Sequence, residues 1–259
     1  MPVSINHALL TDLYQLTMAQ GYLECGKGQT QACFHMSFRD YPFKGGYAIA
    51  SGMAHLADLV EGFRFSDEDL AYLASVPAPG GGALFKQSFL DYLRDFRLSV
   101  DIDAVREGTA VFPNEPIVRV VGPIMECQML ETALLNCVSF ETLIASKAAR
   151  ICLAAQAPVA EFGLRRAQGP AGGVWASRAA VVGGCASTSN VMAGKLFGIP
   201  VSGTHAHSWV MAFPDELTAF RAYAEQFPKN CVLLVDTYDV ERGIDNAITV
   251  GLEMRERGE

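Results

Sequence analysis

Three patterns are missing from this sequence, and each absence excludes a class of protein. Its seven cysteines lack the spacing of a disulfide framework and contain no Cys-x-x-Cys pair, which argues against a disulfide-stapled or zinc-ribbon domain. No apolar run reaches the length of a membrane-spanning helix. The first residues, 1–7, do not have the regions of a signal peptide. We therefore predict a cytoplasmic protein with reduced cysteines and no membrane partner.

Basic charge is also scarce. The 259 residues include 20 lysines and arginines against 28 aspartates and glutamates, giving a formal net charge of −8. This balance argues against binding to nucleic acid, although a local pocket of arginines can still bind a small anionic substrate. Half of the residues are hydrophobic, which is enough for a sizeable core in one or two domains.

The first part of the chain, residues 1–122, has the pattern of an α+β domain, because its strands do not alternate regularly with helices. Asp12 stands where a helix cap is expected, and Ser66 begins a capping pattern. The predicted helices are 9–23, 52–63, a segment after 66, and 84–96, and the predicted strands are 29–38, 47–50, 99–104 and 117–121.

The second part, residues 123–259, begins with a long helical stretch and then alternates between strands and helices. The alternation predicts a parallel sheet or barrel, and about four units correspond to half of an eight-stranded, TIM-like α/β barrel. A half barrel would leave an unpaired strand edge, so we expect further strands from elsewhere. The predicted strands are 159–162, 199–202 and 231–235, and the predicted helices are 125–155, 174–182, 190–198, 214–227 and 240–257.

The segment Ile199–Val210 concentrates polar side chains at the predicted carboxyl end of a strand, where α/β folds bind ligands. Thr204, His205, His207 and Ser208 follow its apolar run. Three interpretations of the histidines are open: packed side chains with hydrogen-bond partners, metal ligands, or a catalytic nucleophile or proton carrier. A metal site would need a third ligand, and the other histidines lie far upstream.

The neighbouring loops each have a functional and a structural interpretation. Arg165 and Arg166 either recognise a carboxylate or phosphate or form a solvated basic pair. Residues 187–190 are either an anion site or a helix cap. Asp236 and Asp239 either hold a ribose hydroxyl or a Mg²⁺-bound phosphate, or cap the next helix. Their predicted placement on one rim suits a phosphorylated sugar and a small acid.

Six short motifs carry a more specific resemblance. They are Leu-Thr-Asp-Leu-Tyr-Gln-Leu-Thr-Met (10–18), Pro-Phe-Lys-Gly-Gly-Tyr (42–47), Glu-Phe-Gly-Leu-Arg-Arg-Ala-Gln-Gly (161–169), Thr-Ser-Asn-Val-Met-Ala-Gly (188–194), Gly-Thr-His-Ala-His-Ser (203–208) and Val-Asp-Thr-Tyr-Asp (235–239). With these motifs in this order, the chain resembles the nicotinate phosphoribosyltransferase family from Leu10 to its last residue.

The resemblance implies a fold and a reaction. The family has an N-terminal α/β domain and an irregular α/β barrel, the fold of type II phosphoribosyltransferases. It joins nicotinate to phosphoribosyl pyrophosphate, giving nicotinate mononucleotide and pyrophosphate with coupled ATP hydrolysis, in NAD salvage. The implied substrates are nicotinate, phosphoribosyl pyrophosphate and ATP, used with Mg²⁺, and no tightly bound cofactor or metal is expected.

The resemblance also assigns a nicotinate pocket. Tyr14, Arg165, Thr204 and Ser208 match the positions that line it. Nicotinate is a flat carboxylate, suited to stacking on Tyr14 and pairing with Arg165. Taken alone, Tyr14 is explained by helix packing. In the family this tyrosine is offered across a subunit interface, so the resemblance implies a homodimer.

A further set of matches concerns phosphate chemistry. The family's transiently phosphorylated histidine falls on His207, and a phosphorylated imidazole gains negative charge that could hold Mg²⁺. Asp236 and Asp239 match the rim near the ribose and Mg²⁺.

One departure and several alternatives remain open. Members of the family are considerably longer, and their later segments bind the ribose and the 5′-phosphate, so we expect this chain alone to be inactive or very weak. One alternative is a truncated relative that binds nicotinate without catalysis. Another is a metal-dependent hydrolase that uses His205 and His207. A transferase for quinolinate or nicotinamide fits the His207 motif and the Arg165 context less well.

Overall fold

The structure, a computed structural model, describes residues 7–259. It contains two compact units, one ending at Ile199 and the other comprising Pro200–Glu259. Each unit has its own hydrophobic core. The predicted domain boundary at residue 123 stays a prediction. Residues 1–6, on which the interpretation of the N-terminus largely rests, lie outside the described part of the chain.

Helices begin close to most of the predicted positions. The capping pattern at Ser66 is confirmed, because its hydroxyl accepts from the Asp69 amide while the Asp69 carboxylate accepts from the Ser66 amide. Asp12 occupies the cap position of its helix, but its carboxylate accepts from Thr132 Oγ1 instead. The helices are α1 (Leu13–Glu24), α2 (Met53–Glu61), α3 (Asp67–Ser75), α4 (Gln87–Arg94), α5 (Ile124–Met129), α6 (Glu131–Ala155), α7 (Gly169–Val182), α8 (Val191–Phe197), α9 (His207–Met211), α10 (Glu216–Gln226) and α11 (Val240–Glu256).

None of the helices in residues 7–259 combines the length and the apolar character needed to cross a membrane. Helix α7 begins earlier than predicted. The glycine-rich stretch before residue 174 forms its first turns, and Pro170 fits there because the first helical amides need no intrahelical partner.

Within residues 7–259 the strands form three small sheets, so the fold is mixed α/β. Strands β1 (Gln31–Met36), β5 (Val118–Pro123) and β3 (Asp101–Ala104) pair antiparallel in that order, with Phe34 opposite Val120. Strands β2 (Ala48–Ile49) and β4 (Ala110–Val111) form an antiparallel pair. Strands β6 (Ala160–Glu161) and β7 (Ser187–Thr188) form a parallel pair.

Two predicted strands are wrong. Residues 199–202 contain only an isolated bridge at Val201, and residues 231–235 form no ladder. A strand exists only where a neighbour takes its backbone hydrogen bonds, and here the Leu234 amide donates to Nε2 of His205 at 3.2 Å. The barrel therefore stays a prediction.

A buried ion-pair network connects α2, α6 and α7. Arg178 pairs with Glu107 at 2.5 Å and with the fully buried Glu141 at 3.4 Å, and Glu141 also lies 3.0 Å from Nδ1 of His55. Glu107 accepts two amides at the start of α2. Burial acts to raise the pKa of Glu107, but the Arg178 guanidinium and these amides hold it below its usual value.

Candidate functional site

His207 is the first residue of α9, and its side chain is 51% exposed. Its Nδ1 lies 3.2 Å from Oγ1 of Thr237, and its Nε2 lies 4.0 Å from Oδ1 of Asp236. When Nδ1 carries the proton and donates to Thr237, Nε2 keeps its lone pair. The imidazole is therefore both oriented and accessible, as a nucleophile requires.

Helix α11 determines where the partners of His207 lie. A Cβ on Gly243 would come 2.0 Å from the carbonyl oxygen of Val235, so only glycine allows this close approach. Asp239 caps the same helix by accepting from the Arg242 amide at 2.8 Å. The segment between Val235 and Asp239, which carries Asp236 and Thr237, is thus held at both ends.

His205 has a different environment. Its ring is buried between Phe220 and Tyr223, Nε2 accepts from the Leu234 amide, and Nδ1 lies 3.4 Å from the Ala206 carbonyl oxygen. Burial lowers the pKa of His205, so the neutral ring is favoured. Because both ring nitrogens have partners, His205 matches the packed interpretation and is not free to bind a metal.

Within residues 7–259, no group of three or more His, Cys, Asp and Glu side chains is arranged to hold a metal ion.

Two hydroxyls flank the histidines. Thr204 Oγ1 donates to the carbonyl oxygen of His205 at 2.7 Å, so it supports the turn. Ser208 is exposed in the first turn of α9, next to His207.

Arg165 and Arg166 lie in the first unit, in a 3-10 turn after β6. Both are exposed, and neither guanidinium forms a hydrogen bond or ion pair with another described residue. The turn is bound to Glu161, whose carboxylate accepts from the amide of Gly163. The arginines are therefore available to an anionic ligand while their backbone is held.

Residues 187–190 form hydrogen bonds that stabilise their own part of the fold. The side chain of Asn190 accepts from the Ala193 amide and so caps α8, as the structural interpretation predicted. Thr188 Oγ1 donates to Glu161 at 2.7 Å.

Tyr14 is 47% exposed near the start of α1. Its hydroxyl lies 3.4 Å from Oε1 of Glu131, which also accepts from Gln15 Nε2 at 2.8 Å through Oε2. Partial desolvation and the carboxylates of Glu131 and Asp12 raise the pKa of the Tyr14 phenol. The hydroxyl is thus anchored, while the side chain stays partly exposed.

The first unit also contains a cleft of about 1270 Å³. Gln168, two residues beyond the arginines, contributes to its lining together with His55, Asn136, Phe140 and Trp175. Leu10, which begins the motif that contains Tyr14, lines the same cleft.

The predicted residues therefore divide between the two units. His207, Asp236, Asp239, Thr204 and Ser208 belong to Pro200–Glu259, while Tyr14 and Arg165 belong to the unit that ends at Ile199. Sequence reasoning gave no role to Thr237 or Glu161. Both lie inside the six motifs, which was the available signal, but their contacts depend on residues distant in sequence.

A model of the nicotinate phosphoribosyltransferase (NAPRTase) N-terminal domain matches residues 9–139, half of the sequence. The chain belongs to the nicotinate phosphoribosyltransferase family. It is 47% identical over 252 residues to nicotinate phosphoribosyltransferase of Bacillus subtilis, an alignment that covers 96% of this chain and 50% of the relative. The chain spans about half the length of the curated relatives it matches.

Solved structures agree with this assignment. The crystal structure of human nicotinic acid phosphoribosyltransferase superposes with a TM-score of 0.83 at 37% identity, covering 94% of this chain and 58% of the human one. Nicotinate-nucleotide pyrophosphorylase of Pyrococcus furiosus superposes with a TM-score of 0.72 at 23% identity, covering 97% and 56% of the two chains. The second match bears on the fold alone.

Proposed function

We propose that this protein acts as a nicotinate phosphoribosyltransferase in NAD salvage. It joins nicotinate to phosphoribosyl pyrophosphate, releases nicotinate mononucleotide and pyrophosphate, and couples this transfer to ATP hydrolysis through a phosphohistidine. The cytoplasmic location and the incomplete TIM-like barrel belong to the same proposal. Beside family membership, the observation that carries it is the geometry of His207, which is half exposed and hydrogen bonded through one nitrogen.

His207 has the properties of a phosphoryl acceptor. Thr237 Oγ1 can accept a hydrogen bond from the protonated Nδ1, which leaves the Nε2 lone pair to attack the terminal phosphorus of ATP. A nitrogen–phosphorus bond forms, ADP leaves with the electrons of the broken oxygen–phosphorus bond, and the ring keeps its Nδ1 proton. The new charge on His207 then attracts the cations that accompany phosphorylated substrates.

Asp236 and Asp239 are suited to Mg²⁺, which prefers oxygen ligands and usually takes only one or two protein carboxylates together with substrate phosphates. Asp236 is the freer of the two, with a side chain 55% exposed, because Asp239 also caps α11. Bound there, Mg²⁺ would neutralise phosphate charge.

Tyr14, Arg165, Thr204 and Ser208 are the residues assigned to nicotinate recognition in this proposal. Arg165 can form two parallel hydrogen bonds to the carboxylate of nicotinate, and the exposed part of Tyr14 can stack on its ring. Thr204 and Ser208 supply hydroxyls. The apolar face of α1 supports a homodimer that shares Tyr14, because Leu13, Tyr14 and Met18 are all exposed.

The proposal is tested by incubating the 259-residue chain with ATP and Mg²⁺ and locating acid-labile phosphate by mass spectrometry. We expect the label on His207 and its loss in His207→Ala, whereas His35→Gln, an exposed histidine on β1, should keep it. Labelling that survives His207→Ala would contradict the role of this residue. Stoichiometric, tightly bound zinc would favour a metal-dependent hydrolase.

Turnover is measured separately. From the 259-residue chain alone we expect little or no nicotinate mononucleotide, and a full rate would contradict that expectation. The intact mass of the protein from its natural source shows which chain to assay. Nicotinate binding without pyrophosphate release in that chain would indicate a non-catalytic binding role.

A further inference from the structure

Glu161, at the end of β6, connects three elements through one half-buried carboxylate. Its Oε2 accepts from Ser177 Oγ of α7 at 2.9 Å and from Thr188 Oγ1 of β7 at 2.7 Å. Its Oε1 accepts from the amide of Gly163. No Lys, Arg or His among residues 7–259 forms an ion pair with Glu161. Its negative charge is therefore met entirely by neutral donors.

Gly163 begins the turn that carries both arginines, and we call Gly163–Arg166 the arginine loop. A Cβ on Gly163 would lie 2.8 Å from Oε1 of Glu161, so the carboxylate sits directly beside the start of the loop. Within the loop, the Arg166 amide donates to the Gly163 carbonyl oxygen at 2.8 Å. The backbone that bears Arg165 is thus closed on itself and tied to Glu161.

A second contact, with α7, also holds the loop. A Cβ on Gly173 of α7 would come 2.6 Å from Cδ1 of Leu164, so Leu164 packs directly on the helix backbone. Asn190 reinforces this region, since its Nδ2 donates to the Gly173 carbonyl oxygen at 3.2 Å and to Ser177 Oγ at 3.1 Å. The loop is fixed, while the Arg165 guanidinium has no partner among the described residues.

We propose that Glu161 is a positioning residue that fixes the arginine loop so that Arg165 meets the carboxylate of nicotinate in a two-bond pair. The inference rests on the proposed function, which supplies the ligand. A planar guanidinium and a planar carboxylate form both bonds only when their planes coincide, and such pairs require backbone placement to within about 0.5 Å. A loop released from Glu161 loses that alignment even though Arg165 is unchanged.

The first test measures the nicotinate dissociation constant by calorimetry. In Glu161→Ala we expect about tenfold weaker binding, as follows from a misplacement of well under 1 Å. Glu161→Gln keeps one acceptor oxygen and should fall in between. The matched control is Glu126→Ala, which removes a buried carboxylate that accepts from the Ser99 amide at 2.6 Å and from its hydroxyl, with no contact to the loop.

Glu126→Ala should lower stability and leave nicotinate affinity unchanged. An equal loss of affinity in both alanine variants would mean that Glu161 is merely structural. An affinity of Glu161→Ala within about twofold of the parent would overturn the proposal, since placement effects of this kind are much larger.

The second test needs no ligand. Trypsin cleaves after Arg165 and Arg166, and a fixed loop resists it, so Glu161→Ala should be cut there faster than the parent and Glu126→Ala. An unchanged rate would overturn the positioning role. If the parent chain does not bind nicotinate, the proposed function fails, while the cleavage rates still decide whether Glu161 holds the loop.

Discussion

Among residues 7–259, the buried ion pairs all lie in the unit that ends at Ile199, which also has surface pairs such as Arg119 with Asp103. The ion pairs of Pro200–Glu259 lie at the surface. Glu141 has a fully buried side chain that meets Arg178, His55 and Ser51. In the second unit, Arg221 pairs with Glu253 while its side chain stays 49% exposed. Buried pairs fix geometry at a high cost if one partner is lost, but exposed pairs contribute little.

The same contrast separates Arg165 in the first unit from His207 in the second, the two residues with the most specific proposed roles. Arg165 extends from a backbone held by Glu161, which suits recognition of a ligand of fixed shape. His207 is half exposed and oriented by Thr237, which suits a group that must receive and release a phosphoryl group. On this comparison, the proposed role of Arg165 is to orient the ligand, and the proposed role of His207 is to exchange a phosphoryl group.

The largest expected effect comes from breaking the buried network. Arg178→Met should destabilise the first unit by about 3 kcal/mol, because it leaves Glu141 buried without its cation; the low end of the usual range applies since Arg178 is partly exposed. Each unit contains one tryptophan, Trp175 or Trp209. Urea unfolding followed by Trp175 fluorescence, in a Trp209→Phe background, measures the loss.

Arg221→Met is the matched control in the other unit. Its pair with Glu253 is solvent exposed, so the unfolding followed by Trp209 in a Trp175→Phe background should change little. Comparable losses in the two variants would remove the contrast between buried and exposed pairs.

The next prediction concerns the close approach of Gly243 to the Val235 carbonyl oxygen, which positions Asp236 and Thr237. Gly243→Ala should destabilise the second unit by about 1–3 kcal/mol, because its Cβ would overlap the Val235 carbonyl oxygen. His207 phosphorylation should fall with it, because Thr237 shifts. Unfolding followed by Trp209 fluorescence and the phosphohistidine assay measure the two effects.

Gly251→Ala, in the same helix, gives the opposite expectation. A Cβ on Gly251 would meet no atom within 4 Å, so alanine should stabilise α11 by about 0.5–1 kcal/mol through helix propensity. Destabilisation by both substitutions would show that α11 tolerates no added side chain, and the argument from Val235 would fail.

Features of this fold that depend on nearby residues could be predicted from the sequence, whereas features that depend on distant partners could not. The capping box at Ser66 and the extent of α11 follow from residues a few positions apart, so they could be predicted. The strand predicted at 231–235 failed because an apolar run does not show whether a neighbour will pair with it.

The candidate site divides in the same way. His207 and Arg165 belong to recognisable motifs, and so could be named from the sequence. The partner of His207, Thr237, lies 30 positions away, and the pair of His55 and Glu141 is separated by 86. Spacing along the chain carries no information on contacts of this range, which depend on how helices pack.

The smallest expected effect concerns His205, whose pKa is lowered chiefly by burial and also by His207, while the Ala206 carbonyl and Glu216 act in the opposite direction. Because the unfolded chain then binds this proton at higher pH, the stabilisation is complete above the ordinary value of about 6.5 and is lost as the pH falls below it.

His205→Gln removes this titration and keeps an acceptor for the Leu234 amide, because the glutamine Oε1 can take the place of Nε2. The free energy of unfolding of the second unit is followed by Trp209 fluorescence in the Trp175→Phe background. Between about pH 7.5 and about pH 5.5 it should fall less in this variant than in its parent. An equal fall in the free energy of unfolding of both proteins would mean that His205 does not gain its proton on unfolding. The packed interpretation of this histidine would then lose its thermodynamic support, even though the ring is buried.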